Sequence, residues 1–209
     1  LDALRATNQK TNDLAPLSLL SKMKSVKEMS YREESDKQLQ ILLECLNELL
    51  GSTPPAEVAI AAHSCVAFAY RDRRRSLEAL IQFVKSKELA KSLSKKSPAR
   101  LQSLREYLFF GYRSVWDVVD GLRRESFPIN CFDHTQGFED EAELRSFLVS
   151  LVAFYPSSER ECLRKASVEF RSCENEFRMD DDESDENCYE VSKAWRDYGW
   201  VLKDLGELG

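Results

Sequence analysis

Residues 97–124 read SPARLQSLREYLFFGYRSVWDVVDGLRR, and they form one long apolar-striped segment without a strong breaker. Ser97 followed by Pro98 is a helix start, with a capping oxygen and a proline at the first helical position. Leu101, Leu104, Leu108, Tyr112, Val115, Val119 and Leu122 recur at steps of three and four. That spacing predicts a helix of roughly 40 Å. Tyr107 and Val118 widen the stripe on one side, and Phe109 and Trp116 widen it on the other. An apolar arc this wide calls for neighbours on two sides. Arg105, Glu106, Arg113, Asp117 and Asp120 are expected to keep the remaining face wet.

The same periodicity extends outward in both directions. Towards the N-terminus, Pro16 opens a helix with the stripe Leu19, Leu20, Met23 and Val26. Ser30 and Glu33 have capping-box spacing ahead of a helix carrying Leu39, Leu42, Leu43, Leu46, Leu49 and Leu50, with Gly51 as its stop. Thr53-Pro54-Pro55 starts a segment running to Tyr70 that is apolar almost all round, so it belongs inside the core. A shorter amphipathic helix carries Leu77, Leu80, Ile81 and Val84.

Beyond the long segment, a loop from Glu125 to Gly137 is followed by a helix from Glu139 to Tyr155. Ser158 and Glu161 then cap a helix bearing Leu163, Ala166, Phe170, Cys173 and Phe177. A last helix, from about Cys188 to Leu205, has a core stripe at Val191, Trp195, Tyr198, Leu202 and Leu205. Seven glycines and six prolines in 209 residues are too few for a turn-rich β protein. The expectation is an all-α bundle of about eight helices around a long central one. It forms a single domain, with a flexible arm at residues 1–13 and an exposed acidic loop at residues 180–187. Leu108, Val115 and Phe68 are expected to be fully buried.

Net charge is −6, but its distribution is uneven. Residues 71–105 hold eleven Lys or Arg against three Asp or Glu, whereas residues 125–209 hold nine against twenty-one. Such asymmetry points to an electrostatic partner or to pairing between the two halves. Arg71, Arg73, Arg74, Arg75, Lys95 and Lys96 are the candidates for contact with a polyanion. Only Phe83 interrupts that stretch as an aromatic, so base stacking is poorly provided for.

The chemistry-bearing motifs are mostly excluded. The chain contains no glycine-rich phosphate loop, HExxH helix or GxSxG elbow. His63, Ser64 and Cys65 are sequence neighbours, and adjacent helical residues point apart, so they make no dyad. Cys131, Asp133 and His134 lack the second ligand cluster that structural zinc needs. The acidic run from Asp180 lacks the glycine and glutamate of a calcium loop, and Ser184 within it is a candidate for phosphorylation. No catalytic residue, metal ligand or cofactor site is assigned.

Six cysteines without a CxxC pair read as buried thiols of a reducing compartment, cytoplasmic or nuclear. The longest apolar run, Val58 to Tyr70, is too short to cross a bilayer.

One feature of the last helix has no structural use in this scheme. Trp200 and Tyr189 share a face opposite the core stripe, with Lys193 beside them. Exposed tryptophan and tyrosine carry binding energy at interfaces, so Tyr189, Lys193 and Trp200 are the candidate partner-binding residues. The functional expectation is a non-enzymatic intracellular interaction or scaffold module whose partner is another protein. The alternative is a polyanion-binding helical domain using residues 71–105 on nucleic-acid backbone or an acidic phospholipid surface.

Overall fold

The computed structural model describes residues 15–26, 35–124, 158–178 and 185–207. Of these, 83% are helical and none lies in a strand, so the all-α class read from periodicity is the observed one. The N-terminal arm, the Ser30–Glu33 capping box, the loop and helix over residues 125–157, and residues 179–184 of the acidic run lie outside the described residues. Residues 185–187, which the sequence reading gave to the acidic loop, instead form the start of the last helix.

The first helix, α1, spans residues 15–26 and buries Leu20, Met23 and Val26 at the spacing read from sequence. Helix α2 (Ser35–Gly51) buries Leu39, Leu42, Cys45, Leu46 and Leu49. Gly51 does not stop it from outside, being its last helical residue. The reversal falls to Thr53, a non-glycine residue at φ 49°. Helix α3 (Ala56–Asp72) is buried at eleven of its seventeen positions. It pairs antiparallel with α4 (Ser76–Ala90) through a tight turn in which Arg74 takes φ 58°. Within this hairpin Ala62, Val66 and Ala69 belong to the same cluster as Ala79 and Phe83. The small side chains of α3 permit that close approach.

The structure overrides the sequence reading most clearly in α4. Periodicity marks a one-sided helix, yet α4 is the innermost element, with α3 on one flank and the long segment on the other. Leu77, Leu80, Ile81 and Phe83 are buried, and so are Ser76, Glu78, Gln82 and Ser86. These polar residues look like a wet face in sequence, but each has a named partner. Gln82 Oε1 lies 2.7 Å from His63 Nδ1. Ser86 and Ser103 share a hydrogen bond of 2.7 Å, Ser76 donates to Asp117 at 2.9 Å, and Arg75 Nε donates to Glu78 at 2.7 Å. Burial is tolerable because every such group is paired.

The long segment is continuous. It consists of α5 (Pro98–Glu106), a π-turn (Tyr107–Gly111) and α6 (Tyr112–Arg123). Leu101, Leu108, Tyr112, Val115, Val118 and Val119 are buried as the stripe predicts. A Cβ at Gly111 would stand 3.0 Å from the Tyr107 ring, which would have to shift by a few tenths of an ångström to admit it. Phe68 is a correction, being only partly buried. Its ring packs edge-on against Phe83 and Phe110, and the Arg71 guanidinium lies 4.8 Å above it.

Helices α7 (Glu159–Ser172) and α8 (Asp185–Leu205) complete the described bundle. They run antiparallel, with Arg160 donating to the Leu205 carbonyl at one end and Arg171 to the Tyr198 hydroxyl at the other. One apolar cluster joins α1 to α4, and a second joins the long segment to α7 and α8. A smaller one, Leu80, Val115, Val119 and Cys162, ties α4, α6 and α7 together.

Candidate functional site

The buried face of α8 is not the one that apolar spacing alone selects. Asn187, Glu190, Val191, Ala194, Asp197, Val201 and Leu205 are buried, whereas Trp195 is 42% exposed, with its indole N–H donating to the Phe177 carbonyl at 2.9 Å. Two of the inward positions are carboxylates because Arg105 of α5 reaches them. Its Nε donates to Glu190 at 3.0 Å and its Nη1 to Asp197 at 2.9 Å. Glu106 stands 3.5 Å away and accepts from Ser64 at 2.7 Å and Gln102 at 2.9 Å. Arg105 and Glu106, read from sequence as wet, are 6% and 3% exposed. Burial lowers the pKa of the guanidinium, but Glu106, Glu190 and Asp197 more than reverse this, so it lies above its ordinary value.

With Glu190 and Asp197 turned inward, the outer face of α8 is fixed. Tyr189 is 58% exposed and Trp200 is 48% exposed. Lys193 Nζ sits 3.9 Å above the Tyr189 ring, and Lys203 Nζ sits 4.7 Å from the Trp200 ring. Arg196, largely exposed, lies between the two pairs. Residues 189, 193, 196, 200 and 203 are spaced by three and four, so they form one aromatic and basic strip about 20 Å long. Arg196 and Lys203 were absent from the sequence-based set. The same spacing rule that joined Tyr189 to Trp200 would have found them.

Beside this strip, between α3, the π-turn, α6 and α8, lies a cleft of about 650 Å³. Arg71, Arg105, Arg113 and Arg196 line it together with Asp117, Asp197 and Trp200. Phe109 and Phe110, both in the π-turn, form part of its wall. The Arg113 guanidinium stacks 4.0 Å from the Phe109 ring and the Arg71 guanidinium 4.4 Å from the Phe110 ring. The π-turn brings both phenylalanines to the cleft, and such turns recur at functional sites.

The basic segment does not make one surface. Arg71 belongs to the cleft. Arg73 donates to the Ala69 carbonyl at 2.7 Å, and Arg75 pairs with Glu78 while lying 5.0 Å over the Tyr70 ring. Arg74 is exposed in the turn. Lys95 and Lys96 lie beyond the other end of α4, about 20 Å away by helical rise. Lys95 is exposed, while Lys96 Nζ donates to the Arg178 carbonyl at 2.7 Å.

His63 is a core histidine, bonded to a side chain on α4 instead of to backbone. Burial lowers its pKa below the ordinary 6.5, against the raising effect of the Gln82 hydrogen bond and with a smaller lowering by Lys85. The unfolded chain therefore binds the proton more readily, and stability falls as pH drops below about 6.5 towards the folded pKa. In His63→Gln this component, at most about 1.4 kcal/mol per pH unit, should vanish from the urea-unfolding profile. An unchanged profile would assign the acid sensitivity elsewhere.

Among the described residues, no group of three or more His, Cys, Asp or Glu side chains has metal-binding geometry. No described helix is long and apolar enough to cross a membrane. Cys131, Asp133, His134 and Ser184 lie outside the described residues. No protein-family model, curated protein or solved structure matches the chain.

Proposed function

We propose that this chain is a non-enzymatic interaction module that docks a protein partner through the outer face of α8. The supporting observation is the pair of exposed aromatics, Tyr189 and Trp200, each topped by a lysine on one helical face. Tyr189 and Trp200 stay about half exposed, whereas Phe83 and Phe177 are buried. Cation–π contact holds the lysine heads over the rings and leaves ring edges and charge available to a partner. No disulfide joins Cys45, Cys65, Cys162, Cys173 and Cys188, which supports a reducing, intracellular setting.

The polyanion reading draws less support. Its residues sit at opposite ends of α4, and Arg73, Arg75 and Lys96 already hold protein acceptors. Binding to nucleic-acid backbone or to an acidic membrane surface would then rest on Arg71 and Arg74 near one end of α4 and Lys95 beyond the other, which make no phosphate-tracking stripe.

The test compares Trp200→Ala with the natural chain as bait in cell extract, with and without nuclease. The fold should persist, with unfolding free energy within about 0.5 kcal/mol. Affinity for the partner recovered by the natural chain should fall by about 2 kcal/mol or more. A melting point lowered as by a core truncation would make Trp200 structural. Capture lost to nuclease treatment would return the polyanion reading.

A further inference from the structure

The cleft beside α8 gathers four arginines. Arg105 is fully engaged by Glu190 and Asp197, and it serves the core. Arg71, Arg113 and Arg196 are different. Each side chain is partly exposed, and each meets a single carboxylate while carrying five N–H donors. Arg71 touches Asp72 at 3.3 Å. Arg113 donates to the Phe109 carbonyl at 2.9 Å and to Asp204 at 2.8 Å. Arg196 meets Asp197 at 3.3 Å.

Stacking orients two of these groups. The Phe109 and Phe110 rings meet edge to face, 4.7 Å between centroids, with the Arg113 and Arg71 guanidinium carbons 4.0 Å and 4.4 Å from their centroids. A guanidinium held over a ring keeps its remaining N–H donors for an oxyanion that shares or displaces its present acceptor, Asp204 for Arg113 and Asp72 for Arg71. Such a group, held in place before binding, loses little freedom when a ligand arrives. With Arg105 spent on Glu190 and Asp197, three partly exposed arginines remain at the cleft, facing Asp117 and held at their outer edges by Asp72, Asp204 and Asp197. A phosphate monoester offers three acceptor oxygens to three arginines, where a carboxylate offers two. The apolar walls, Phe109, Phe110 and Trp200, suit a ring or aliphatic stem leading to the phosphate.

We infer that the cleft lined by Arg71, Arg113 and Arg196 binds a phosphate monoester carried on a side chain of the docked partner. The inference rests on the interaction reading and specifies it: the strip on α8 holds the partner, and the cleft reads its phosphorylation. Asp204 occupies part of the Arg113 fork from outside, so it competes with the phosphate.

Isothermal titration of the full chain with phenyl phosphate at low ionic strength tests the site without needing the partner. Saturable one-to-one binding is expected, weakened about tenfold or more in Arg71→Gln and in Arg113→Gln. Asp204→Asn should bind severalfold tighter, a gain that a damaged fold would not produce. Arg113→Lys should retain only part of the affinity, having the charge without the fork. Benzoate should bind at least about tenfold more weakly than phenyl phosphate.

Absence of saturable binding, or full affinity in both arginine variants, overturns the site. Adenosine monophosphate binding as tightly as a phosphotyrosine peptide would overturn the protein-segment source. Failure with phenyl phosphate beside Trp200-dependent capture removes this inference and leaves the docking reading standing. Phosphate binding beside capture indifferent to Trp200 removes the docking reading, and with it the partner as the phosphate's source.

Discussion

Arg105→Met is expected to destabilise the fold by about 3–5 kcal/mol, because it takes the cation away from Glu106, Glu190 and Asp197, three carboxylates that the bundle buries. Glu190 and Asp197 are 7% and 3% exposed, and Arg105 is the cation that both meet inside the bundle. Lys193 and Arg196 stand at the rim, 3.6 Å and 3.3 Å from the same two carboxylates. They will blunt the loss without replacing the buried charge. Urea unfolding should show a lower midpoint with an unchanged slope.

The triple variant Arg105→Met, Glu190→Leu, Asp197→Leu separates charge from shape. Removing these three charged groups leaves Glu106, 3% exposed and hydrogen-bonded to Ser64 and Gln102, as the buried acid that has lost its cation, so only part of the lost stability should return. A triple variant no better than the single one would mean that the directed hydrogen bonds of Arg105, and not stranded charge, hold α5 to α8.

Phe83→Ala should cost about 3–5 kcal/mol. The ring is fully buried in α4, edge-on to Phe68 at 5.6 Å and stacked on Phe110 at 6.3 Å. The cavity it leaves would lie between α3, α4 and the π-turn, where three packed elements limit collapse. Phe68→Ala should cost clearly less, because Phe68 is only partly buried and its removal opens towards solvent. Equal losses in the two variants would show that the Arg71 side chain seals Phe68 from water as effectively as a hydrocarbon neighbour would. The Phe83 variant also tests the cleft, since Phe110 carries Arg71. Phosphate affinity should weaken with Phe83→Ala even at temperatures where the chain stays folded.

Much of the secondary structure was legible because it is local. Leu20, Met23 and Val26, the α2 stripe, and the run from Leu101 to Val119 each repeat at a helical period that any neighbour would accept. Tyr189 and Trp200 could be picked out the same way, as large aromatics off the expected core stripe. Among the described residues the π-turn escaped, since one Gly111 among bulky residues does not announce a change of register, and so did the helical start at residues 185–187, read from sequence as acidic loop.

The sequence by itself determined the helical class, most helix bounds, and the uneven charge that sets a basic stretch against an acidic half. Tertiary structure decided which polar residues go inside. Arg105 looked like a surface cation until Asp197, 92 residues later, was brought beside it. Ser86 looked like a wet position until Ser103 faced it across the α4–α5 contact. The same contacts turned α8, made Trp195 a rim residue and assembled Arg71, Arg113 and Arg196 around one cleft. The physical reason is that helical periodicity reports only the apolar surface that must be hidden. A polar group can also be hidden once a partner satisfies it, and that partner comes from a distant part of the chain, through packing that no local pattern encodes.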